Sequence, residues 1–428
     1  MLDPLTMRED PLHSTSACHR GQIGNEDRRI LRELAKGVAE VAALPIQAER
    51  ARLWRALNQR KPERAMVLAQ TTCLVPEADL QCKEPMCRQW EWALRWKLYR
   101  HEHIRDDYPC TDFLDIRYAV DVSDYGVTEE RIYGEIDGFG AYKVNPPIKS
   151  PEDFEKLRPR HIAVDHEATD RRVETAEGIL GDILQVRKQG EALCRNMLSR
   201  KLIHLRGYDQ FLIDMYDNPD LLHQMMAFLR DETLREWEIY EREGVLSLNN
   251  SPDHIRGTGG VACTDELPSR DFDGHVRMQD MVCFGESQES VGVGPDLFYE
   301  FVLQYQLPLM NRFGSVDYGC CEPQDGKFDL LFEHIPRLCS VSVLPWGNRE
   351  EAAERLADRH VYAYKPHPGV LELPEPDYET AEKEMRETLE IAAGCCVSLT
   401  MKAELTADTA DRAERWTDIA QRVVAEAA

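Results

Sequence analysis

The C-terminal part of the chain reads LCSVSVL at residues 338–344, VYAY at residues 361–364 and VSLTM at residues 397–401. These short runs are rich in valine, leucine and tyrosine and are typical of buried β-strands. Between them the sequence has a helical pattern, with Asn348 as a predicted N-cap and Gly394 as a predicted helix stop. Strands that alternate with helices predict a parallel sheet with crossover helices. About 300 residues of this alternation suit an α/β fold, specifically a (β/α)8 TIM barrel.

The same pattern extends toward the N terminus. Further strands are predicted at residues 65–69, 179–186, 245–248 and 315–321, and helices at residues 25–57, 90–99, 219–229, 378–393 and from 411 to the end. Residues 1–110 are predicted to form an N-terminal arm, covering residues 1–25, and a mainly helical extension. Residues 111–428 are predicted to form the barrel.

Two further patterns bear on the fold. No G-x-G-x-x-G motif follows an early strand, which weighs against a dinucleotide-binding fold. The glycine-rich run at residues 257–260 is not followed by a helical pattern, so we expect a mobile loop there and not a phosphate cradle.

Composition excludes several classes of protein. The chain has 428 residues and a formal net charge of −25, which argues against sequence-independent binding to nucleic acid or to an anionic membrane. Its 13 cysteines show no framework spacing, which indicates reduced thiols in a cytoplasmic protein. No run approaches ~20 apolar residues, so no membrane span is expected. Residues 1–24 lack the apolar core of a secretory signal.

Chemically active side chains follow the predicted strands. In a β/α barrel the catalytic residues gather at the carboxyl ends of the strands, so these positions are candidate site residues. They are Asn249, Asp265, Glu286, Gln288, Tyr318, Cys320, Cys321, Glu322, Trp346, Lys365, His367 and Lys402.

Each candidate also has an interpretation without function. Lys365 and Lys402 fit surface lysines about as well, and His367 fits an ordinary loop residue between two prolines. Asp265, with its acidic neighbour, fits an exposed turn. The pair Cys320 and Cys321 fits packed cysteines. The convergence of thiols, carboxylates, amides and lysines at strand ends favours an active-site rim over these separate interpretations.

Five segments together resemble the uroporphyrinogen decarboxylase-like superfamily. They are DMYDNPDLLH at residues 214–223, TDELP at 264–268, GESQE at 285–289, YGCCEP at 318–323 and KPHP at 365–368. The resemblance covers nearly the whole chain from about residue 45 and implies a (β/α)8 barrel with an N-terminal helical extension. It also implies a homodimer.

Two chemistries are implied by this resemblance. The arginine-rich N-terminal signature of the true uroporphyrinogen decarboxylases has no counterpart here. The other branch transfers a methyl group between a small methylated compound, such as an ether, amine or thiol, and a corrinoid protein, usually with zinc. The corrinoid-ligand motif Asp-x-His-x-x-Gly is absent from this chain, so a separate protein is expected to carry the corrinoid. The branch commonly has His-x-Cys at a strand end, whereas Tyr318 or Gly319 occupies the histidine position here.

The sequence therefore predicts a zinc-assisted, corrinoid-dependent methyltransferase. The expected zinc ligands are Cys321, Cys320 and Glu286, with Cys263 in reserve, because zinc needs about three protein ligands and one open position. Both thiols can bind one ion only if the backbone bends at Gly319; otherwise Cys321 is preferred.

The remaining roles are assigned as follows. Glu286, Lys365 and Lys402 are the predicted catalytic residues, and the lysines are expected to hold a substrate carboxylate. Predicted substrate contacts are Asn249, Asp265, Gln288, Tyr318, Trp346 and His367. Two alternatives stay open: a metal-free decarboxylase or lyase acting on a small carboxylate, and a ligand-binding barrel without catalytic activity.

Overall fold

The computed structural model describes residues 23–71, 75–133 and 142–427. The arm predicted for residues 1–25 therefore lies outside the described residues, except for its last three. The strands in the described part are β1 (Met66–Thr71), β2 (Phe113–Arg117), β3 (Ala119–Val122), β4 (Glu130–Tyr133), β5 (Tyr142–Asn145), β6 (Ile162–Asp165), β7 (Gln185–Gln189), β8 (Arg195–Asn196), β9 (Val282–Gly285), β10 (Ser315–Tyr318), β11 (Leu338–Val343), β12 (Val361–Tyr364) and β13 (Cys396–Ala403).

Helices surround these strands. They are α1 (Asn25–Ala42), α2 (Pro45–Asn58), α3 (Pro85–Tyr99), α4 (His166–Leu180), α5 (Leu198–Arg206), α6 (Tyr208–Asp217), α7 (Pro219–Arg242), α8 (Pro295–Phe298), α9 (Gln304–Met310), α10 (Phe328–His334), α11 (Arg349–Leu356), α12 (Gly369–Glu372), α13 (Tyr378–Ile391) and α14 (Asp411–Ala427). Five-residue π-helical turns at Arg100–Ile104 and Tyr299–Leu303 extend α3 and join α8 to α9.

The largest sheet has seven strands in the order β1-β13-β12-β11-β10-β9-β8. Every neighbouring pair is parallel, from the pairing of β1 with β13 to that of β8 with β9. Three two-stranded sheets, β2-β7, β3-β6 and β4-β5, complete the described strands. The predicted α/β class with a parallel sheet is confirmed. The first strand lies within the segment assigned to the N-terminal extension, yet it belongs to this sheet.

Local patterns explain several boundaries. Pro219 occupies the first turn of α7, and the buried stripe that begins with Leu221 and Leu222 faces the core, as its spacing predicts. Asn348 caps α11 by accepting a hydrogen bond from the backbone N–H of Glu351. Gly394, with φ of +87°, follows the end of α13 in the left-handed region that glycine favours.

Three strand predictions need correction. Residues 179 and 180 belong to α4, and the strand there begins only at Gln185, because the apolar run continues the helix. The segment 245–248 makes only a single parallel bridge, between Leu246 and Glu191. The strand predicted for residues 315–321 ends at Tyr318, since Gly319 has φ of +95° and turns the chain.

The two sides of the large sheet contact different parts of the chain. On one side, Tyr362 donates to the carbonyl oxygen of Arg349 in α11 and Tyr364 to Glu384 in α13. On the other side, side chains contact the segment 254–262. We name that side the loop face; it carries Phe284, Asp317, Ser340, Ser342, Lys365, Ser398, Thr400 and Lys402.

The segment 254–262 crosses the loop face. Arg256 Nε lies 2.9 Å from Asp317 Oδ2 in β10, and the Thr258 hydroxyl lies 2.9 Å from the Ser340 hydroxyl in β11. Arg256, Thr258 and their two partners are all buried. The segment is therefore part of the protein interior.

Glycine is required where this segment approaches the sheet. A Cβ on Gly257 would lie 2.0 Å from the ring of Phe284, and one on Gly259 would lie 2.8 Å from Thr400. Gly259 also has φ of +106°. The run 257–260, expected to be a mobile loop, is instead packed against the strands.

No helix in the described ranges combines the length and the apolar character that crossing a bilayer requires.

Candidate active site

Two lysines and one cysteine meet at the carboxyl end of the loop face. Lys365 follows β12 directly, and its Nζ donates a 2.8 Å hydrogen bond to the carbonyl oxygen of Cys320. The Nζ atoms of Lys365 and Lys402 lie 3.5 and 3.4 Å from the carbonyl oxygen of Gly257. The structure thus brings together three residues that the sequence places at three separate strand ends.

The bend at Gly319 puts two thiols side by side. Because β10 ends at Tyr318, Cys320 and Cys321 escape the strand alternation that would point them to opposite faces. Their Sγ atoms are 3.6 Å apart. Cys320 is half-buried and Cys321 is exposed. The anticipated bend is therefore present, and the more buried thiol is that of Cys320, not of Cys321.

The pKa values of the two thiols are shifted in opposite directions. A hydrogen bond from the Cys321 thiol lowers the pKa of Cys320. The positive charges of Lys365, Lys402 and Arg195 lower the pKa of Cys320 further, against the effect of burial. The same hydrogen bond and burial raise the pKa of Cys321. Cys320 is thus the more acidic thiol of the pair.

Lys402 is half-buried among like charges. Burial lowers the pKa of Lys402 to about 8, and the positive charge of Lys365 acts in the same direction. Negative charge on Cys320 acts in the opposite direction. Lys402 therefore titrates close to physiological pH.

Glu286 is a buried carboxyl with an unused oxygen. It follows the last residue of β9, and its Oε2 accepts a 3.3 Å hydrogen bond from the backbone N–H of Gln288. Its Oε1 has no hydrogen-bond partner within the described part of the chain. Burial raises the pKa of Glu286 well above its ordinary value, and the negative charges of Glu289 and Glu322 add to this effect. Glu286 is therefore a weaker acid than an exposed glutamate.

Glu322 fixes the turn that carries the thiols. Its two carboxyl oxygens accept 2.9 Å hydrogen bonds from the backbone N–H groups of Ser287 and Cys320. Burial raises the pKa of Glu322 to about 7, and the negative charge of Cys320 contributes. The Glu322 side chain therefore joins the ends of β9 and β10, and both of its carboxyl oxygens are used in these hydrogen bonds.

Other buried polar groups near this end have no partner among the described residues. They include Gln70 Nε2, Thr71 Oγ1, Asn196 Oδ1 and Thr400 Oγ1. Gln70 is paired in register with Lys402, and Asn196 with Gly285, which precedes Glu286. Unsatisfied buried donors and acceptors of this kind indicate bound water or ligand.

Sequence reasoning did not find Arg195 or Gln70. Arg195 belongs to β8, which is only two residues long and leaves no periodic signal. Gln70 lies beyond the strand predicted for residues 65–69, because β1 continues to Thr71. Applying the strand-end rule to β1 as well would have found Gln70.

Two predicted substrate contacts, Asn249 and Tyr318, have other surroundings. The amide of Asn249 donates to the carbonyl oxygens of Ala192 and Val282 and accepts from the N–H of Val282, so its polar atoms join neighbouring segments. The Tyr318 side chain is fully buried and donates a 2.8 Å hydrogen bond to Gln306 in α9. It therefore faces the helices, as alternation along β10 requires.

Asp265 and Cys263 lie at the opposite end of the sheet. Asp265 is exposed and pairs with Arg55 of α2. The carbonyl oxygen of Cys263 accepts from Asn58, which also contacts Cys339 at the start of β11. Cys263 is therefore separated from the two thiols at the carboxyl end by the length of the strands, and the reserve role considered for it in the metal site does not fit its position.

The last predicted contacts form part of the rim. Trp346 follows β11 and His367 follows β12; their rings meet edge to face, with centroids 5.6 Å apart. Both side chains are exposed. Gln288 is half-buried beside Glu286. Trp346 and His367 thus present an aromatic surface at the carboxyl end of the sheet.

The residues present do not fit a three-ligand zinc site. The separation of 3.6 Å between the Sγ atoms suits two sulfur ligands of one tetrahedral ion. Yet across the described ranges no three His, Cys, Asp or Glu side chains are grouped so that they could hold a metal ion. Lys365, Lys402 and Arg195 also place positive charge beside the thiols. These charges repel a divalent cation and already stabilise a thiolate.

The chain matches no protein-family model and no curated protein. These comparisons therefore assign no activity to the site.

Proposed function

We propose that this protein is a methyltransferase that moves a methyl group between a small methylated carboxylate and a corrinoid carried by a separate protein. One observation carries the proposal: the buried carboxyl of Glu286, whose Oε1 has no hydrogen-bond partner among the described residues, lies in one electrostatic cluster with Cys320 and the side chains of Lys365, Lys402 and Arg195. Such a cluster binds an anion and offers it a proton. The resemblance of five sequence segments to the uroporphyrinogen decarboxylase-like superfamily supplies the choice of methyl transfer.

The residues of the chain would divide the work as follows. Lys365, Lys402 and Arg195 hold the carboxylate of the substrate, since cations in a site of low dielectric attract it strongly. The corrinoid, when bound, supplies the centre that accepts the methyl group. Glu286 donates its proton to the oxygen, nitrogen or sulfur that loses the methyl group. A protonated carboxylic acid thereby assists the leaving group in place of a Lewis-acidic metal.

The finer fold expected from the sequence is also part of the proposal: the sheet closes into a (β/α)8 barrel. In a flat sheet β9 and β13 would lie about 19 Å apart, at ~4.8 Å per strand. Gly257 packs against Phe284 of β9, whereas Gly259 packs against Thr400 of β13. Two residues of extended chain span only ~7 Å. This proximity supports a strongly curved sheet that encloses the segment 254–262.

A metal-free decarboxylase or lyase is the second candidate. The same cations would hold a carboxylate, and the proton of Glu286 would be delivered to the carbon that loses carbon dioxide. Like the first candidate, it needs no metal, in agreement with a donor set that does not fit zinc. It differs from the first in requiring no corrinoid.

The two candidates are separated by a direct assay. Purified protein is incubated with free cob(I)alamin and a panel of methyl ethers, methylamines and methyl thioethers that each carry a carboxylate. We expect the cobalamin spectrum to change to that of methylcobalamin with at least one compound. Release of carbon dioxide without methylation would favour the second candidate. Absence of both reactions with the whole panel would contradict the proposal.

A chelator tests the metal-free mechanism. We expect methyl transfer to continue after dialysis of the protein against 1,10-phenanthroline, because Glu286 and not zinc assists the leaving group. Loss of activity that added zinc restores would show that the sequence-based zinc prediction is correct and that the role given to Glu286 is wrong.

A further inference from the structure

The two adjacent thiols at the end of β10 form an unusual pair. Consecutive side chains on a strand point to opposite faces, so neighbouring cysteines ordinarily keep their sulfur atoms apart. Here the strand ends at Tyr318, and the left-handed conformation of Gly319 reorients the chain. The Sγ atoms of Cys320 and Cys321 therefore lie 3.6 Å apart.

The two thiols also differ in their surroundings. Cys320 is half-buried, and Lys365 Nζ donates to its carbonyl oxygen at 2.8 Å. Cys321 is exposed and open to small molecules. A half-buried sulfur in contact with a second, accessible thiol has the arrangement of an attacking cysteine and its resolving partner.

We propose that Cys320 and Cys321 form a reversible vicinal disulfide when the protein meets a hydroperoxide. The Cys320 sulfur attacks one peroxide oxygen and the O–O bond breaks; the thiol proton passes to the other oxygen, which leaves as alcohol or water. Cys320 is then a sulfenic acid. The Cys321 thiol attacks that sulfur, the S–O bond breaks, and water leaves as the S–S bond forms. The two thiols lose two electrons and the peroxide gains two. The inference does not rest on the methyl transfer proposed above.

Geometry makes this disulfide easy to reduce. Adjacent Cα atoms are about 3.8 Å apart across a trans peptide, whereas disulfides usually join Cα atoms about 4.4–6.8 Å apart. A strained disulfide has a more oxidising potential and opens readily with thiols. The pair is thus expected to be reduced in a reducing cytoplasm and to close only under oxidative conditions.

The chain contains a matched control. Cys395 and Cys396 are also adjacent, at the start of β13. Their Sγ atoms contact different carbonyl oxygens, Cys395 that of Ala353 and Cys396 that of Asp358. Cys396 is buried, and burial raises the pKa of both thiols. Cys395 and Cys396 are adjacent but lack a bend like that at Gly319, so they are expected to form no disulfide.

Peptide mass spectrometry tests the proposal on the intact chain. The reduced protein is treated with a small excess of hydrogen peroxide, the remaining thiols are alkylated, and the protein is digested with trypsin. Residues 313–327 form one tryptic peptide that holds only these two cysteines, and residues 387–402 form another that holds only the control pair. We expect the first peptide to be unalkylated and lighter by two hydrogen atoms, and dithiothreitol to reverse this change. The control peptide should carry two alkyl groups.

Single substitutions assign the roles of the two sulfurs. In Cys321→Ser the resolving thiol is missing, so dimedone should label Cys320 as the sulfenic acid. In Cys320→Ser neither dimedone labelling nor the disulfide should be found in this peptide. Two alkylated cysteines in the treated wild-type peptide, or irreversible oxidation of Cys320 beside an alkylated Cys321, would overturn the proposal.

Discussion

Burial affects Glu286 and Lys402 in opposite directions because their ionised forms have opposite charges. Burial disfavours the ionised form of each, so it raises the pKa of Glu286 and lowers the pKa of Lys402 to about 8. The site therefore holds a weakened acid beside positive charges. The cations of Lys365, Lys402 and Arg195 can bind an anion, and Glu286 can serve as the proton donor beside it.

Glu286→Gln separates proton donation from binding. The amide keeps the shape of the side chain but cannot release a proton at neutral pH. We expect kcat for methyl transfer to fall by about 10²–10⁴-fold, the usual contribution of a general acid. The KM for the carboxylate should change little, because Lys365, Lys402 and Arg195 are intact.

A control for this change lies at the other end of the sheet. Asp265→Asn removes an exposed carboxylate that pairs with Arg55, and kcat should stay at the wild-type value. If Glu286→Gln has wild-type kcat, the role of the acid belongs to another group.

Lys402 makes anion binding depend on pH. Above about pH 8 Lys402 becomes neutral, while Lys365, Arg195, Cys320 and Cys321 are the other charged or titratable groups that face it, so affinity for a small carboxylate should fall. For methoxyacetate, measured by calorimetry between about pH 7 and about pH 9.5, we expect a loss of about tenfold, equal to ~1.4 kcal/mol. Lys402→Arg, which stays charged, should remove this pH dependence.

The control and the accompanying stability effect follow from the same titration. Lys383→Arg, on the exposed surface of α13, should keep the wild-type pH dependence. Because the folded state releases the proton of Lys402 before the unfolded state does, this residue makes the free energy of unfolding rise between about pH 8 and the ordinary lysine pKa. A wild-type affinity that is constant over this range would contradict the assignment of Lys402.

At the scale of residues, a site residue could be predicted from the sequence only where the end of its strand was recognised. The convergence of Lys365, Lys402 and Cys320 was accessible because β12 and β13 have clear apolar patterns and β10 has a clear start. Asn249 was expected in the site because the segment before it looked like a strand, but that segment makes a single bridge. The burial and hydrogen bonding that decide such cases come from tertiary contacts, which periodicity does not contain.

At the scale of elements, the segment 254–262 replaces side chains that would otherwise fill the loop face. Its backbone comes so close to the strands that glycine is needed at the contact with Phe284. The glycines are visible in the sequence, but the close packing that requires them is not, since a mobile loop and a buried loop have the same composition. The helices were more predictable: α7, α11 and α13 each carry a start or stop residue next to a regular apolar stripe.

Gly257→Ala tests the packing of this segment. The added Cβ would lie 2.0 Å from the ring of Phe284, so the segment or the ring must move. We expect the free energy of unfolding to fall by about 3 kcal/mol, at the upper end of overpacking effects, in urea titration. Adding Phe284→Leu should restore part of the loss by making room.

Gly178→Ala is the matched glycine control. Gly178 lies in α4 with no atom near the added Cβ, so alanine should increase the free energy of unfolding by about 0.5–1 kcal/mol. If Gly257→Ala is as harmless as Gly178→Ala, the segment does not pack on the sheet as described.

At the scale of the whole molecule, one buried arginine connects three layers. Arg256 donates to Asn58 of α2 and to Cys339 of β11, and it forms an ion pair with Asp317 of β10 at 2.9 Å. Burial raises the pKa of Asp317 to about 6 even beside this charge. The N-terminal helices, the segment 254–262 and the sheet are thus joined through a single side chain.

Arg256→Leu should be strongly destabilising. Removing the cation leaves the carboxylate of Asp317 buried and unpaired, which costs about 3–5 kcal/mol. The double variant Arg256→Leu, Asp317→Leu should recover much of this loss in thermal unfolding. Because Arg256 lowers the pKa of Asp317, its removal should raise that pKa above the wild-type value of about 6, and the single variant should become more stable as the pH falls through this higher range. Equal stability of single and double variants would show that the ion pair does not matter.

The pairing of β1 with β13 has a consequence for biosynthesis. The first strand of the large sheet finds its partner only in Cys396–Ala403, more than three hundred residues later. At ~5–20 residues per second, the ribosome needs tens of seconds to deliver that partner. Throughout that time an apolar strand with an open edge is exposed to other nascent chains. Newly made copies of this protein should therefore depend on a chaperone that shields β1 until the C-terminal strand has left the ribosome.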